Sequence, residues 1–483
     1  MINKFLDSKR NIYKQNTLSE IKDNEREIYP QDVEKKDNLE KLIKVALSKE
    51  FHVLFQKLVY NDEDQEQVDR YIRKYIKDNK YFFKDSKDYY TFVSQIVNEI
   101  FGLGVLEQYI ADKTITEIWI LGAKNIYYEQ YGKRWESPLK FKNDTVVLSM
   151  VNKILAPINR KADESNPIVD ARLQDGSRVA ITLPPIALNG PEITIRKFKE
   201  ERFGLDKYLE LNLITEPMKE FLENSVRWGA NILIAGGTGS GKTTLLNALS
   251  SEIPRDVEKK EYEHVITIED SAELIIDNPF IQSWETRNKN SEGVGEISPS
   301  KLVKHSLRNS PDRIILGEIR DEVAYDVLQA AMTGHKGTMS TIHANNAPTA
   351  TERFATLAGT AGVISPQEAK EMFASSFDLI IVVEKLEFPK PEGGTVVKRL
   401  ITQISHIVGY GEKGAEKTAT SKINDSSIED KVYLTDIFKF DKKNNCFITT
   451  GYVPKDLIIK AEHENVPYKP SIFTKNRGRC LNE

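Results

Sequence analysis

The run Gly236-Gly237-Thr238-Gly239-Ser240-Gly241-Lys242-Thr243 satisfies every position of the G-x-x-x-x-G-K-[ST] phosphate-binding pattern. Glycines in such a run let the backbone curl until several N–H groups converge on phosphate oxygens. A helix beginning at its end adds positive potential there. Lys242 is then placed to reach the β- and γ-phosphates as a point charge, and the Thr243 hydroxyl to ligate Mg²⁺. The alternative is a glycine-rich turn with a chance lysine, and the flanking residues argue against it. Asn231-Ile232-Leu233-Ile234-Ala235 reads as a short buried strand, and Thr244-Leu245-Leu246-Asn247-Ala248-Leu249 has helical spacing and good helix formers.

Hydrolysis needs further groups. His264-Val265-Ile266-Thr267-Ile268 is a strand candidate, and Glu269-Asp270-Ser271-Ala272-Glu273 places carboxylates at its C-terminal end, the edge where open α/β sheets bind ligands. Arg313-Ile314-Ile315-Leu316-Gly317-Glu318 is a second buried strand, and Glu318 is the candidate for polarising the attacking water. Gly317 stands where an aspartate usually precedes such a glutamate. Mg²⁺ is therefore expected to be held by Thr243, phosphates, water and either Asp270 or Glu269. Taken alone, a strand-terminal acid is more often a helix cap or a surface charge. Residues 333–346 read as a helix end, a turn, a strand and a loop, with His335 and His343 bracketing the strand. Both are expected to have nucleotide-linked roles, ordering water or sensing the γ-phosphate near neutral pH; metal binding by the pair lacks further ligands. Arg308 and Arg320 flank the Glu318 strand and Arg196 closes the preceding domain, so these are the candidate phosphate clamps, with Arg172 and Arg178 as alternatives.

Positioning these groups at one edge requires a parallel sheet with crossover helices. Residues 206 to about 385 alternate strand and helix patterns as that α/β fold demands. Ahead of them, residues 96–205 are dominated by strand-like segments such as Glu117–Leu121, Asn125–Glu129 and Glu192–Arg196, an α+β domain. Residues 38–95 recur helically, with Val68, Tyr71, Ile72, Tyr75 and Ile76 on one face of a helix, and form a small helical domain. Residues 1–37 are a polar, charged arm. Residues 386–483 follow as a C-terminal extension that begins in a hairpin-like segment, Val382 to Val397, and includes a polar stretch from Gly411 to Asp430. The 483 residues carry 68 basic and 72 acidic side chains, a net charge of −4, which argues against a nucleic-acid binder by bulk charge. No stretch approaches the roughly 18 apolar residues of a membrane span, and Met1 to Lys9 has no apolar signal core, so a cytosolic location is expected. Cys446 and Cys480 form no C-x-x-C pattern, and neither a disulfide nor a structural zinc is expected of them.

Taken in order, these segments resemble the secretion ATPase superfamily of type II and type IV machines, most closely its Tad/Flp pilus-assembly branch. The resemblance covers about residues 100–385. It rests on Phe101–Glu107 with Ile115–Ile118, Val169–Leu173 with Asp175–Val179, Pro184–Leu188, a Walker A loop from Gly236 to Thr244, an Asp box from Thr267 to Leu274, a glycine-glutamate Walker B from Leu307 to Asp321, and a His box from Thr333 to Asn345. It implies a RecA-like domain that binds ATP and Mg²⁺ against the α+β domain of a neighbouring chain in a homohexameric ring. It further implies a peripheral position at the cytoplasmic face of the membrane, held through an inner-membrane platform protein, with no direct nucleic-acid contact. By the same resemblance Glu318 and an Asp-box acid carry catalysis. The absence of an Asn-Lys-x-Asp guanine motif also favours ATP. A conjugation-type secretion ATPase is the alternative cargo reading. A nucleic-acid translocase and a non-hydrolysing nucleotide switch are the alternatives of other classes.

Overall fold

The structure, a computed structural model, describes residues 27–52, 54, 62–158, 160–198, 203–256, 258, 261–287, 289, 294–389, 394–411 and 430–481. The chain divides into two compact units, Met1–Phe198 and Lys199–Glu483.

In the first unit, helices α1 (Val33–Glu50), α2 (Asp62–Asp78) and α3 (Ser86–Phe101) share one core. The four-residue steps Leu39-Ile43-Leu47 and Val68-Ile72-Ile76 each lay one stripe into it. The expected helix face on α2 is this stripe. The expected division at residues 37/38 falls inside α1, and residues 1–26 of the expected arm lie outside the described residues. An antiparallel six-stranded sheet follows, built from β1 (Ile115–Leu121), β2 (Asn125–Gln130), β3 (Lys133–Glu136), β4 (Ile168–Arg172), β5 (Arg178–Thr182) and β6 (Glu192–Arg196), in the order β3-β2-β1-β6-β5-β4. Helix α4 (Asp144–Leu155) contributes Val147, Met150, Val151, Ile154 and Leu155 to the core that takes Ile118, Ile120, Val179, Ile181, Ile193 and Ile195 from the strands. Alternation sends the other residues to the opposite face. There Arg172 pairs with Arg178, and Arg178 with Arg196, so three arginines stand side by side across three strands.

The second unit opens with helices α5 (Leu205–Glu210) and α6 (Glu216–Arg227). Strand β7 (Ile232–Gly236) then runs into the phosphate loop and α7 (Lys242–Ser250). Next come β8 (Val265–Glu269), β9 (Ile281–Glu285), α8 (Pro299–Ser306), β10 (Arg313–Leu316), α9 (Val323–Met332), β11 (Met339–His343), α10 (Ala347–Gly359) and α11 (Pro366–Ser376). The sheet is closed by β12 (Leu379–Pro389), β13 (Thr395–Tyr410), β14 (Val432–Asp441), β15 (Cys446–Thr449) and β16 (Asn476–Cys480), with helix α12 (Lys455–His463) between the last two.

Among the described residues this is one ten-stranded sheet, ordered β9-β8-β10-β11-β7-β12-β13-β14-β15-β16. It is parallel from β9 through β12 and antiparallel thereafter. Strand β7 is buried along its whole length, which is why it reads as an unbroken apolar run. Ile232 and Ile234 enter the core on one face, Leu233 and Ala235 the core on the other. The molecule is thus an α/β protein with helices on both faces of a mostly parallel central sheet.

The C-terminal residues are built into this unit. The expected division at 385/386 falls inside β12, and Phe438, Phe447, Leu457, Tyr468, Ile472 and Phe473 share a core with Phe221 of α6. Tyr468 stacks on Phe221 at 5.2 Å, and its hydroxyl accepts from Trp228 Nε1 at 2.6 Å. The expected hairpin is the β12–β13 pair, whereas most of the expected polar stretch, residues 412–429, lies outside the described residues. The expectation of unpaired cysteines fails: Cys446 and Cys480 are direct cross-strand partners on β15 and β16 and form a disulfide. Strand pairing brought together residues 34 positions apart, which spacing along the chain did not disclose.

Candidate active site

Parallel pairing brings the carboxyl ends of four strands level. His343 stands beside Gly236, Leu316 beside Ile268, and Glu269 ends β8. The phosphate loop leaves β7 at this edge and enters α7 through Gly241, whose φ of +99° is open to glycine and strained for other residues. Lys242 is buried, and its ammonium donates to the carbonyls of Gly236 and Gly237, both at 3.1 Å. It also donates to His343 Nδ1 at 3.2 Å. Nε2 of His343 lies 3.1 Å from Glu318 Oε1. The other carboxylate oxygen of Glu318 accepts from Arg320 at 2.7 Å, and Arg320 donates onward to Asp270 at 3.2 Å. Thr286 donates to Asp270 as well, at 3.3 Å. Lysine, histidine, glutamate, arginine and aspartate thus form one chain of polar contacts along the edge of the sheet.

The charges along it follow from the surroundings. Burial lowers the pKa of Lys242, the neighbouring Arg320 lowers it further, and Glu318 opposes both. Burial also holds His343 below its ordinary value, reinforced by Lys242 and partly offset by Glu318. The imidazole is therefore neutral at pH 7. Nδ1 faces the Lys242 ammonium, while Nε2 stands 3.1 Å from the Glu318 carboxylate. Burial acts to raise the pKa of Glu318, but the hydrogen bond and charge of Arg320, with the charge of Lys242 beside them, outweigh it and the carboxyl sits below the usual range. Glu318 is ionised at neutral pH.

Gly317, odd for a strand of this kind, has a steric reason. A Cβ there would fall 3.1 Å from Glu269 Cγ. Glu269 is itself buried, and its carboxylate accepts from the amides of Glu273 and Leu274, at 2.9 and 3.2 Å. Through these bonds Glu269, the expected catalytic or metal-ligating acid, braces the loop carrying Asp270. Thr341 fixes Gly317 from the other side, donating to its carbonyl at 2.8 Å.

Other expected site residues stand elsewhere. His335 and Arg308 precede strands β11 and β10, so they lie at the amino edge of the sheet, about 13 Å of strand away from His343. The His335 ring contacts the Pro311 carbonyl at 2.9 Å, and Arg308 is exposed after α8. Neither belongs to the phosphate edge of its own chain, because a parallel strand separates residues at its two ends however close they look in sequence. Arg196 is exposed at the end of β6 in the first unit. Thr243 and Thr244 begin α7 beside the loop, Thr244 exposed. One loop contact was missed. Arg399, on β13, donates from Nε to the Gly239 carbonyl at 2.9 Å across a separation of 160 residues, and no local pattern signals it.

The donor set suits a nucleotide. Ser240 Oγ within the loop is buried with no hydrogen-bond partner, a polar group awaiting one. Among the described residues no three His, Cys, Asp or Glu side chains cluster to hold a metal.

Residues 99–465 match the family model for type II/IV secretion system proteins. The chain belongs to that family. Among its relatives in the family is the conjugal transfer protein TrbB of Rhizobium radiobacter, 32% identical over 279 residues, 58% of this chain and 79% of TrbB. The type IV secretion system protein VirB11 of Bartonella henselae is 30% identical over 322 residues, 58% of this chain and 88% of VirB11. A putative conjugal transfer protein of Mycobacterium tuberculosis is 29% identical over 254 residues, 51% of this chain and 70% of that protein. No helix among the described residues is long and apolar enough to cross a membrane.

Proposed function

We propose that this family member hydrolyses Mg-ATP and works as a homohexameric motor for pilus assembly or protein secretion of the Tad/Flp kind, at the cytoplasmic face of a membrane. The observation that carries the catalytic reading is the chain from Lys242 through His343, Glu318 and Arg320 to Asp270, set against a complete phosphate loop. In it, residues Gly236 to Thr244 cradle the phosphates and Lys242 turns from its carbonyls to the β- and γ-oxygens. Mg²⁺ would be held by Thr243 and Asp270, and when bound it neutralises charge on the phosphates. Glu318, ionised, accepts a hydrogen bond from the attacking water and orients it toward the γ-phosphorus, while neutral His343 keeps Glu318 and Lys242 in register. Arg320 stabilises charge on the transferring group. Arg196, in line with Arg178 and Arg172, supplies guanidinium groups to the nucleotide of an adjacent chain.

A conjugation-type secretion ATPase is supported as well as the pilus reading, since relatives carry the names conjugal transfer protein and type IV secretion system protein. In either case the chain docks on a membrane-embedded platform partner. Equilibrium ATP binding to wild type and Lys242→Ala tests the site. Loss of the loop's ammonium should weaken binding at least tenfold, given the worth of a charged hydrogen bond; equal affinities would remove the nucleotide site.

A further inference from the structure

We propose that Arg399 is a positioning residue of the phosphate loop and sets its affinity for a nucleoside triphosphate; this rests on the ATP site argued above. The arginine comes from the antiparallel half of the sheet. Strand β12 runs beside β7, with Val383 opposite Gly236, and continues past the point where β7 ends. Two residues further along, Lys385 pairs with Arg399 of β13. The β12–β13 hairpin therefore overhangs the phosphate loop, and Arg399 is on the overhang.

Its contact with the loop is specific. Nε donates to the Gly239 carbonyl at 2.9 Å. A trans peptide puts C=O and N–H on opposite sides, so holding that carbonyl toward Arg399 turns the Ser240 N–H toward the inside of the loop. It points there in the structure, donating to the Gly237 carbonyl at 3.3 Å. The stem of Arg399 also covers Gly241, where an added Cβ would lie 3.3 Å from Arg399 Cδ. The guanidinium adds a second cation to the loop beside Lys242. Arg399 itself is exposed, so its removal leaves the core intact.

The arrangement assigns Arg399 a part in binding and none in the chemical step. The test is ATP affinity, steady-state turnover and thermal unfolding of the full chain for wild type, Arg399→Ala, Arg399→Lys and Lys242→Ala. Arg399→Ala should raise Kd and KM for ATP about tenfold, as loss of a charged hydrogen bond does, with kcat within about twofold and Tm unchanged. Arg399→Lys should recover part of the affinity, because it restores the charge without the planar Nε–H fork. Wild-type affinity in Arg399→Ala, with binding lost in Lys242→Ala, overturns the role of Arg399 alone. Wild-type affinity in both variants overturns the nucleotide site as well. A fall in Tm that accounts for the weaker binding, with no recovery in Arg399→Lys, also overturns it.

Discussion

At the scale of single residues, the decisive relation is that His343 stands between Lys242 and Glu318, with Nδ1 3.2 Å from the ammonium and Nε2 3.1 Å from a carboxylate oxygen. Burial and the charges of Lys242, Arg320 and Arg353 keep it neutral against the pull of Glu318. Its pKa is depressed in the fold, so the stability it contributes is present above the ordinary value near 6.5 and is lost as pH falls from there through the lower folded value. We predict that the His343 imidazole titrates below 6.5, and that the midpoint moves upward in Lys242→Ala. An NMR titration, with His343→Gln to assign the signal, checks both; a midpoint at or above 6.5 in the wild type contradicts a neutral imidazole at this position. Glu318 and Asp270 stood out as candidates in the sequence because each follows closely on a strand, β10 or β8, whose apolar run announces it, and Lys242 because it ends a complete glycine-rich loop. His335 and Arg308 were misplaced because nearness to a strand does not say which end of it faces the ligand.

The elements hold that chain in place through the fit of one strand end against another. Gly317 is the tightest point: alanine there would press on Glu269 Cγ at 3.1 Å, and Glu269 cannot swing away without releasing the Glu273 and Leu274 amides. Overpacking of this sort costs about 1–3 kcal/mol, while replacing glycine recovers about 0.4–1 kcal/mol through the unfolded chain. The net effect of Gly317→Ala should be destabilisation of about 1 kcal/mol or more, read as a lower urea midpoint; an unchanged midpoint would show that the loop gives way freely. The parallel strands were readable, since β7, β8 and β10 are buried on both faces and show it as apolar runs. The antiparallel half was not. Its strands β13 and β14 mix apolar and polar positions, and the Arg399 contact and the Cys446–Cys480 disulfide both arise from pairing between distant segments.

For the whole molecule, the sheet edge collects the phosphate loop, Glu318 and Asp270 in one unit, while the arginine row on β4, β5 and β6 belongs to the other. In the proposed ring, one chain's arginines would serve its neighbour's nucleotide, a contact between chains that sequence alone does not rank. The most direct measurement is Mg-ATP turnover of the purified chain beside Glu318→Gln, with ATP affinity and mass by light scattering on the same samples. We expect wild type to turn over ATP at a mass near six chains, and Glu318→Gln to bind ATP with wild-type affinity while losing at least about a hundredfold in kcat. Wild-type turnover in Glu318→Gln would contradict the account.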